Sequence, residues 1–261
     1  MRLFNSIKTK KQVQTPSYAA QRRNILSQNS SFYVRESYKS LRTNIRFFQA
    51  GEGCKRFCIT SSLAGEGKSI TLLNLAITFA EAGQRVLLID ADLRRPSQAR
   101  LLIERAAPGL SNVLAGHCDE EEAIRKEVYP NLDVLFSGEI PPNPSELLGS
   151  PQMKNLIDRL TGQYDYILVD APPVGIVTDA CVVAKILDGM LFLVRQNETE
   201  KDNVSRCVQQ IKNTGVRLMG FVINGYQGDS GNRYQYNYSS NKKYNYESAD
   251  RSGKEKRQFG Q

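Results

Sequence analysis

Hydrophobic positions first fall into a rhythm at Phe32. Tyr33, Leu41, Ile45 and Phe48 recur at roughly three-to-four spacing through about Gln49, the period of an amphipathic helix. Short apolar runs of strand length follow at Phe57–Ser61, Val86–Asp90, Leu132–Phe136, Tyr166–Asp170, Met190–Val194 and Leu218–Ile223. Several are apolar almost throughout, as parallel strands covered on both faces must be. Between them the pattern predicts helices over Ser69–Ala82, Glu120–Glu127, Pro151–Leu160, Thr178–Leu187 and Lys201–Asn213. Strand and helix alternating in this way predict an α/β fold, with a doubly wound, mainly parallel sheet flanked by helices.

Both ends break the pattern. Residues 1–31 are rich in Gln, Ser, Asn and Lys without hydrophobic period, and read as a flexible arm. Beyond Asn224 almost nothing aliphatic remains, yet Tyr226, Tyr234, Tyr236, Tyr238, Tyr244 and Tyr246 place half of the 12 tyrosines there. Such a segment has no means of building a core and is expected to be disordered. The chain therefore divides into a basic arm (1–31), a folded domain (32–226) and a tyrosine-rich tail (227–261).

Charge supports that division. The net charge is +8, but the arm carries +6 and the tail +3, which leaves the domain at −1. Electrostatic contacts would be made by the tails, not by a basic nucleic-acid-binding face. No apolar run approaches the about 18–20 residues that span a bilayer, and the N-terminus has no signal-peptide core. Five cysteines, no CxxC pair and the single His117 argue against zinc or a disulfide framework and suit a reducing cytoplasm.

The chemistry gathers at the strand ends. The first strand runs into Ser62-Leu63-Ala64-Gly65-Glu66-Gly67-Lys68-Ser69 and then an apolar helix. This is a phosphate-binding P-loop in which Ser62 replaces the usual first glycine. Glycines let backbone N–H groups close on phosphate oxygens at a helix N-terminus. Lys68 would reach the β- and γ-phosphates and the Ser69 hydroxyl would hold Mg²⁺, so ATP and Mg²⁺ are the expected cofactors. Asp90 and Asp92 close one strand and Asp170 another, where ligands of open α/β sheets collect. Asp90 and Asp170 are expected at the metal, and Asp92 is a candidate general base for an acceptor hydroxyl.

Together these residues resemble the bacterial tyrosine kinases, especially the separate cytoplasmic kinases of Gram-positive capsule and exopolysaccharide operons. The resemblance covers about Tyr33 to Asn224 and the tyrosine-rich tail. It rests on the P-loop Ser61–Ser69, an acidic hhhDxDxR motif at Leu87–Arg94, and Ile167–Asp170 followed by Ala-Pro-Pro. It implies nucleotide contacts from Gly65 through Ile70 and from Asn224. It also implies autophosphorylation of the tail in trans, on Tyr234, Tyr236, Tyr238, Tyr244 and Tyr246, within a ring-shaped homo-oligomer. The family's oligomerisation helix carries E-x-x-R-x-x-R; here Glu36, Lys39 and Arg42 occupy those positions, and Lys39 keeps the charge but loses the guanidinium fork. A membrane-spanning adaptor of the polysaccharide co-polymerase type, recruitment to the inner membrane face and a cognate tyrosine phosphatase are further implications. The competing class is a partition-type P-loop ATPase switch. Those relatives carry an extra P-loop lysine at the position of Leu63, and have no use for a tyrosine tail.

Overall fold

The structure is a computed structural model that describes residues 17–48 and 53–226. In chain order the elements are α1 (Tyr18–Arg22), α2 (Phe32–Phe48), β1 (Lys55–Ser61), α3 (Lys68–Ala80), β2 (Val86–Asp90), α4 (Gln98–Leu102), α5 (Leu110–Leu114), α6 (Glu120–Ala123), β3 (Ile124–Tyr129), β4 (Leu132–Leu135), α7 (Pro144–Leu148), α8 (Pro151–Thr161), β5 (Tyr166–Asp170), α9 (Asp179–Ala184), β6 (Gly189–Arg195), α10 (Lys201–Asn213) and β7 (Leu218–Asn224). The compact unit runs to Gly225; of the segment Tyr226–Gln261 only Tyr226 lies within the described residues. The tail tyrosines Tyr234 to Tyr246 and the expected disorder of the tail therefore lie outside them.

Seven strands form one sheet in the order β3-β4-β2-β5-β1-β6-β7. All pairings are parallel except β3 with β4. Alternate residues of each central strand serve opposite faces. Leu87, Ile89, Ile167 and Val169 enter a core beneath α8, α9 and α10, while Val86, Leu88, Leu168 and Phe57 enter a second core beneath α3. Helices cover both faces, so the central strands are apolar along most of their length, with polar residues only toward their ends, and β2 and β5 are buried throughout.

Two stretches differ from the sequence expectation. Residues 17–31, read as a flexible arm, include a short helix capped by Ser17. They also bring Leu26 into the core beside α3, where its N–H donates to Asn74 Oδ1 at 2.7 Å. Asn74 in turn donates to the carbonyl of Asn24 and to the Tyr38 hydroxyl. A single buried leucine and a polar anchor on another element have no period to detect. Residues Glu120–Glu127, expected as one helix, stop being helical at Ala123 and continue as β3, an edge strand antiparallel to β4. The charged residues Arg125, Lys126 and Glu127 mask the strand, as edge strands often require, and pairing with Leu132–Leu135 overrides local propensity.

Candidate nucleotide and phosphotransfer site

The strand order puts β5 between β2 and β1, so the ends that carry Asp90, Asp170 and the P-loop lie side by side. Asp90 is the register partner of Asp170, and Asp170 of Ile59. Helix α3 starts at Lys68, directly after Gly67, which adopts φ 97°. An added Cβ at Gly67 would run into the Asn224 side-chain amide, so both backbone conformation and space demand glycine there.

Side chains behind the loop fix its shape. The Ser62 hydroxyl donates to Glu66 Oε1 at 2.9 Å and the Leu63 N–H to Glu66 Oε2 at 3.0 Å. The Thr199 hydroxyl donates to Glu66 Oε1 at 2.6 Å. The serine that departs from the usual glycine therefore ties down the buried carboxylate of Glu66. Asn224 reaches over from β7 and its Nδ2 donates to the Glu66 carbonyl at 2.9 Å. On the other side, Thr60 donates to the Pro172 carbonyl and accepts from Val174 N–H, which holds the segment after Asp170 against β1.

Beneath the loop lies a buried charge cluster. Lys68 Nζ sits 3.0 Å from Asp92 Oδ2, 3.6 Å from Asp170 Oδ1 and 3.4 Å from Ser69 Oγ. Burial alone would lower the Lys68 pKa, but Asp170 and Asp92 outweigh it and hold the ammonium above the ordinary lysine value. Burial and the Asp170 charge push Asp90 up to about 8. Asp170 is also raised, by burial, with Lys68 pulling the other way. Asp90 accepts from the N–H groups of Asp92, Ser97 and Gln98, so it shapes the loop that carries the acidic motif. Asp92 accepts from Arg95 N–H through its other oxygen.

Asp92 and Asp170 share one ammonium, which leaves this cluster short of positive charge. Asp170 Oδ1 is buried without a hydrogen-bond partner, and the Ser69 hydroxyl is beside Lys68. That donor set suits a hard, oxygen-seeking divalent cation. Among the described residues no three His, Cys, Asp or Glu side chains form a ready-made metal cage. A cation here would therefore be completed by Ser69, phosphate oxygens and water, as at a nucleotide site.

A pocket of about 620 Å³ opens above the cluster, with Gly65, Gly67, Lys68, Ser69, Ile70, Asp92 and Asn224 in its wall. Glu66, Asp90 and Asp170, also expected at the site, sit behind that wall and position its members. Glu36, Lys39 and Arg42 are elsewhere, on α2. Glu36 and Lys39 pair at 2.7 Å, and Arg42 turns inward to donate to the Thr78 carbonyl.

Two further groups had no separate signal in the sequence. Gln98 is fully buried, and its Nε2 donates to Asp170 Oδ2 at 2.9 Å and to the Ser69 carbonyl at 3.1 Å. It clamps the start of α3 to the acid of β5. Arg94, within the acidic motif and in the pocket wall, is held by the fully buried Asp179, with Nε to Oδ2 at 2.8 Å. The hydrogen bond to Asp179 raises the Arg94 pKa. Ser145 donates to the same carboxylate at 2.5 Å and accepts from Arg94.

A family model described as an AAA domain matches residues 54–214. Tyrosine-protein kinase YwqD of Bacillus subtilis (strain 168) is 38% identical over 201 residues, covering 77% of this chain and 85% of that protein. Putative tyrosine-protein kinase CapB of Staphylococcus aureus is 34% identical over 205 residues, covering 78% and 90%. Among solved structures, the chimerical protein CapA2B2 superposes with a TM-score of 0.72 at 35% identity, covering 77% of this chain and 88% of that one.

Proposed function

The chain belongs to the bacterial tyrosine kinases, and on that premise we propose that it transfers the γ-phosphoryl group of ATP to the tyrosine cluster of a neighbouring copy's tail. The observation that supports this most is Asp92, which lies in the pocket wall next to the P-loop lysine. It is placed to serve an incoming hydroxyl as well as the phosphates.

Backbone N–H groups from Gly65 to Ser69 and the start of α3 cradle the triphosphate. Lys68 exchanges its carboxylate partners for phosphate oxygens, which frees Asp92. Asp92 then accepts the phenolic proton of the acceptor tyrosine as its oxygen forms the new bond to the γ-phosphorus. The bond from that phosphorus to the β–γ bridging oxygen breaks, and ADP leaves with its electron pair. Ser69 and Asp170 would hold Mg²⁺, with Asp90 setting the geometry behind them; when bound, the cation neutralises charge on the phosphate oxygens. Asn224 and Ile70 border the nucleotide. Little covalent chemistry falls to the protein beyond this positioning.

Phosphorylation adds about −1.5 to −2 charges per tyrosine, so five modifications would turn a tail at +3 strongly negative. Repulsion then dissolves the oligomer, making the tail both substrate and switch. The exposed residues Phe32, Tyr33 and Val34 of α2, next to Glu36 and Lys39, support α2 as the oligomer face. No helix among the described residues is long and apolar enough to cross a membrane. In this reading an adaptor of the polysaccharide co-polymerase type supplies the membrane location, in the service of capsule or exopolysaccharide production, with a tyrosine phosphatase resetting the tail. Replacing Lys68 with Met should abolish self-labelling by ATP-Mg²⁺, and persistent labelling would remove the site assignment. Light scattering of the fully phosphorylated protein should show a fall in mass; an unchanged mass would end the switch proposal.

A further inference from the structure

A second depression, of about 660 Å³, lies between α1, the end of α4 and the start of β3. Four arginines line it, Arg22, Arg100, Arg105 and Arg125, against one acid, Glu104. A domain whose overall charge is near neutral has thus collected a local excess of guanidinium groups at one concave place. Two of them are fixed. Arg100 lies over the Tyr18 ring at 4.6 Å and donates from Nε to the Pro96 carbonyl. Arg125 donates to the carbonyls of Glu122, Ala123 and Ala107.

The apolar part of the depression is equally pointed. Ile103 is 76% exposed and adopts φ 60°, a left-handed conformation that a β-branched residue rarely takes. That conformation ends α4: Ile103 is its C-cap and its N–H donates to the Ala99 carbonyl. Ile103 gives an exposed apolar surface beside the guanidinium rim, over the buried Ala99, and Tyr18 borders both this depression and the nucleotide pocket.

We infer that this depression is a docking site for a phosphotyrosine side chain on a second copy of the chain, its ring against Ile103 and its phosphate on Arg22 and Arg105. The chemistry is that of an aromatic phosphate. Planar guanidinium forks grip phosphate oxygens in pairs, where lysines act as point charges, and all four bases here are arginine. The inference rests on the kinase reading, because that reaction produces the ligand. It places the product next to the active site, where a phosphotyrosine retained early would order successive transfers along the tail before the fully phosphorylated tail dissolves the oligomer.

The test uses the full-length chain carrying Lys68→Met, so that no transfer occurs, and a synthetic fluorescent peptide of residues 232–246. One batch is phosphorylated chemically at Tyr236 and Tyr238, the other is unmodified. Anisotropy should show the phosphopeptide binding about tenfold or more tighter than the unmodified one. Arg22→Glu with Arg105→Glu should remove that preference, while Arg22→Lys with Arg105→Lys keeps part of it. Circular dichroism melts check that both double variants remain folded, and the lysine pair keeps the test decisive if the glutamate pair unfolds. Equal binding of the two peptides, a preference that survives in the folded glutamate pair, or a preference undiminished in the lysine pair would overturn the inference. So would arginine-dependent binding of phosphatidylserine vesicles or inorganic phosphate without binding of the phosphopeptide. Because the peptide is phosphorylated chemically, its failure to bind leaves the kinase reading intact. Failure of self-labelling in the unmutated chain would count against that reading alone.

Discussion

Gln98→Leu removes the two donors that clamp Asp170 and the Ser69 carbonyl while keeping a side chain of similar size. Gln98 is fully buried, so water does not replace what is lost. Its bond to Asp170, at 2.9 Å, has a charged acceptor, and such bonds contribute about 1.5–3 kcal/mol. The shape change adds up to about 1 kcal/mol. Loss of the Ser69 carbonyl bond is roughly offset by removing Gln98 Oε1, which is buried without a partner. The expected loss of stability is thus about 2–4 kcal/mol, a large share of the 5–15 kcal/mol typical of a folded domain. The chain has no tryptophan, so guanidinium unfolding is best followed by far-UV circular dichroism. The midpoint should fall with unchanged slope. Released from its clamp, Asp170 should also hold the cation poorly, raising the Kd for ATP about tenfold in the presence of Mg²⁺ but little in its absence. A stability change below about 0.5 kcal/mol, the range of an ordinary surface substitution, would refute the clamp. An equal loss of affinity with and without Mg²⁺ would refute its link to Asp170.

Three other outcomes follow from the geometry. Gly67→Ala meets both a left-handed backbone and the Asn224 amide; it should cost about 1–2 kcal/mol in stability and remove most nucleotide binding in a fluorescent-ATP titration. Asp179→Asn weakens the hold on Arg94, whose side chain is 41% exposed. The stability cost should therefore stay near about 1–2 kcal/mol, with kcat falling more than nucleotide affinity in a steady-state assay. Leu26→Ala should cost about 2–3 kcal/mol in a denaturant titration, whereas an arm lying free of the core would register no change.

The sheet was legible because its central strands are buried on both faces, and runs such as Val86–Asp90 and Tyr166–Asp170 carry that burial in their composition. The P-loop and the acidic strand ends were legible because phosphate and metal chemistry restricts residue types at fixed spacings. Gln98 was not: a buried glutamine that bridges two elements differs from a surface glutamine only in its partners, and these lie 29 and 72 positions away along the chain. Asp179 was hidden for the same reason, since an aspartate at the start of a helix reads as an ordinary helix-terminal residue. At Glu120–Glu127 local helix preference was real but ended at Ala123, where strand pairing took over. Ser62 read as a departure from the P-loop pattern; only its bond to Glu66 shows what the hydroxyl contributes.

Transfer between copies can be read out by mixing two variants of the chain. One chain carries Lys68→Met with its tail tyrosines intact. The other keeps Lys68 but has Tyr234, Tyr236, Tyr238, Tyr244 and Tyr246 changed to Phe. Neither should gain tail phosphotyrosine alone with ATP-Mg²⁺, whereas the mixture should place it on the Lys68→Met chain, read by mass spectrometry. A mixture without tail phosphotyrosine, or label on the Lys68→Met chain by itself, would rule out transfer between copies.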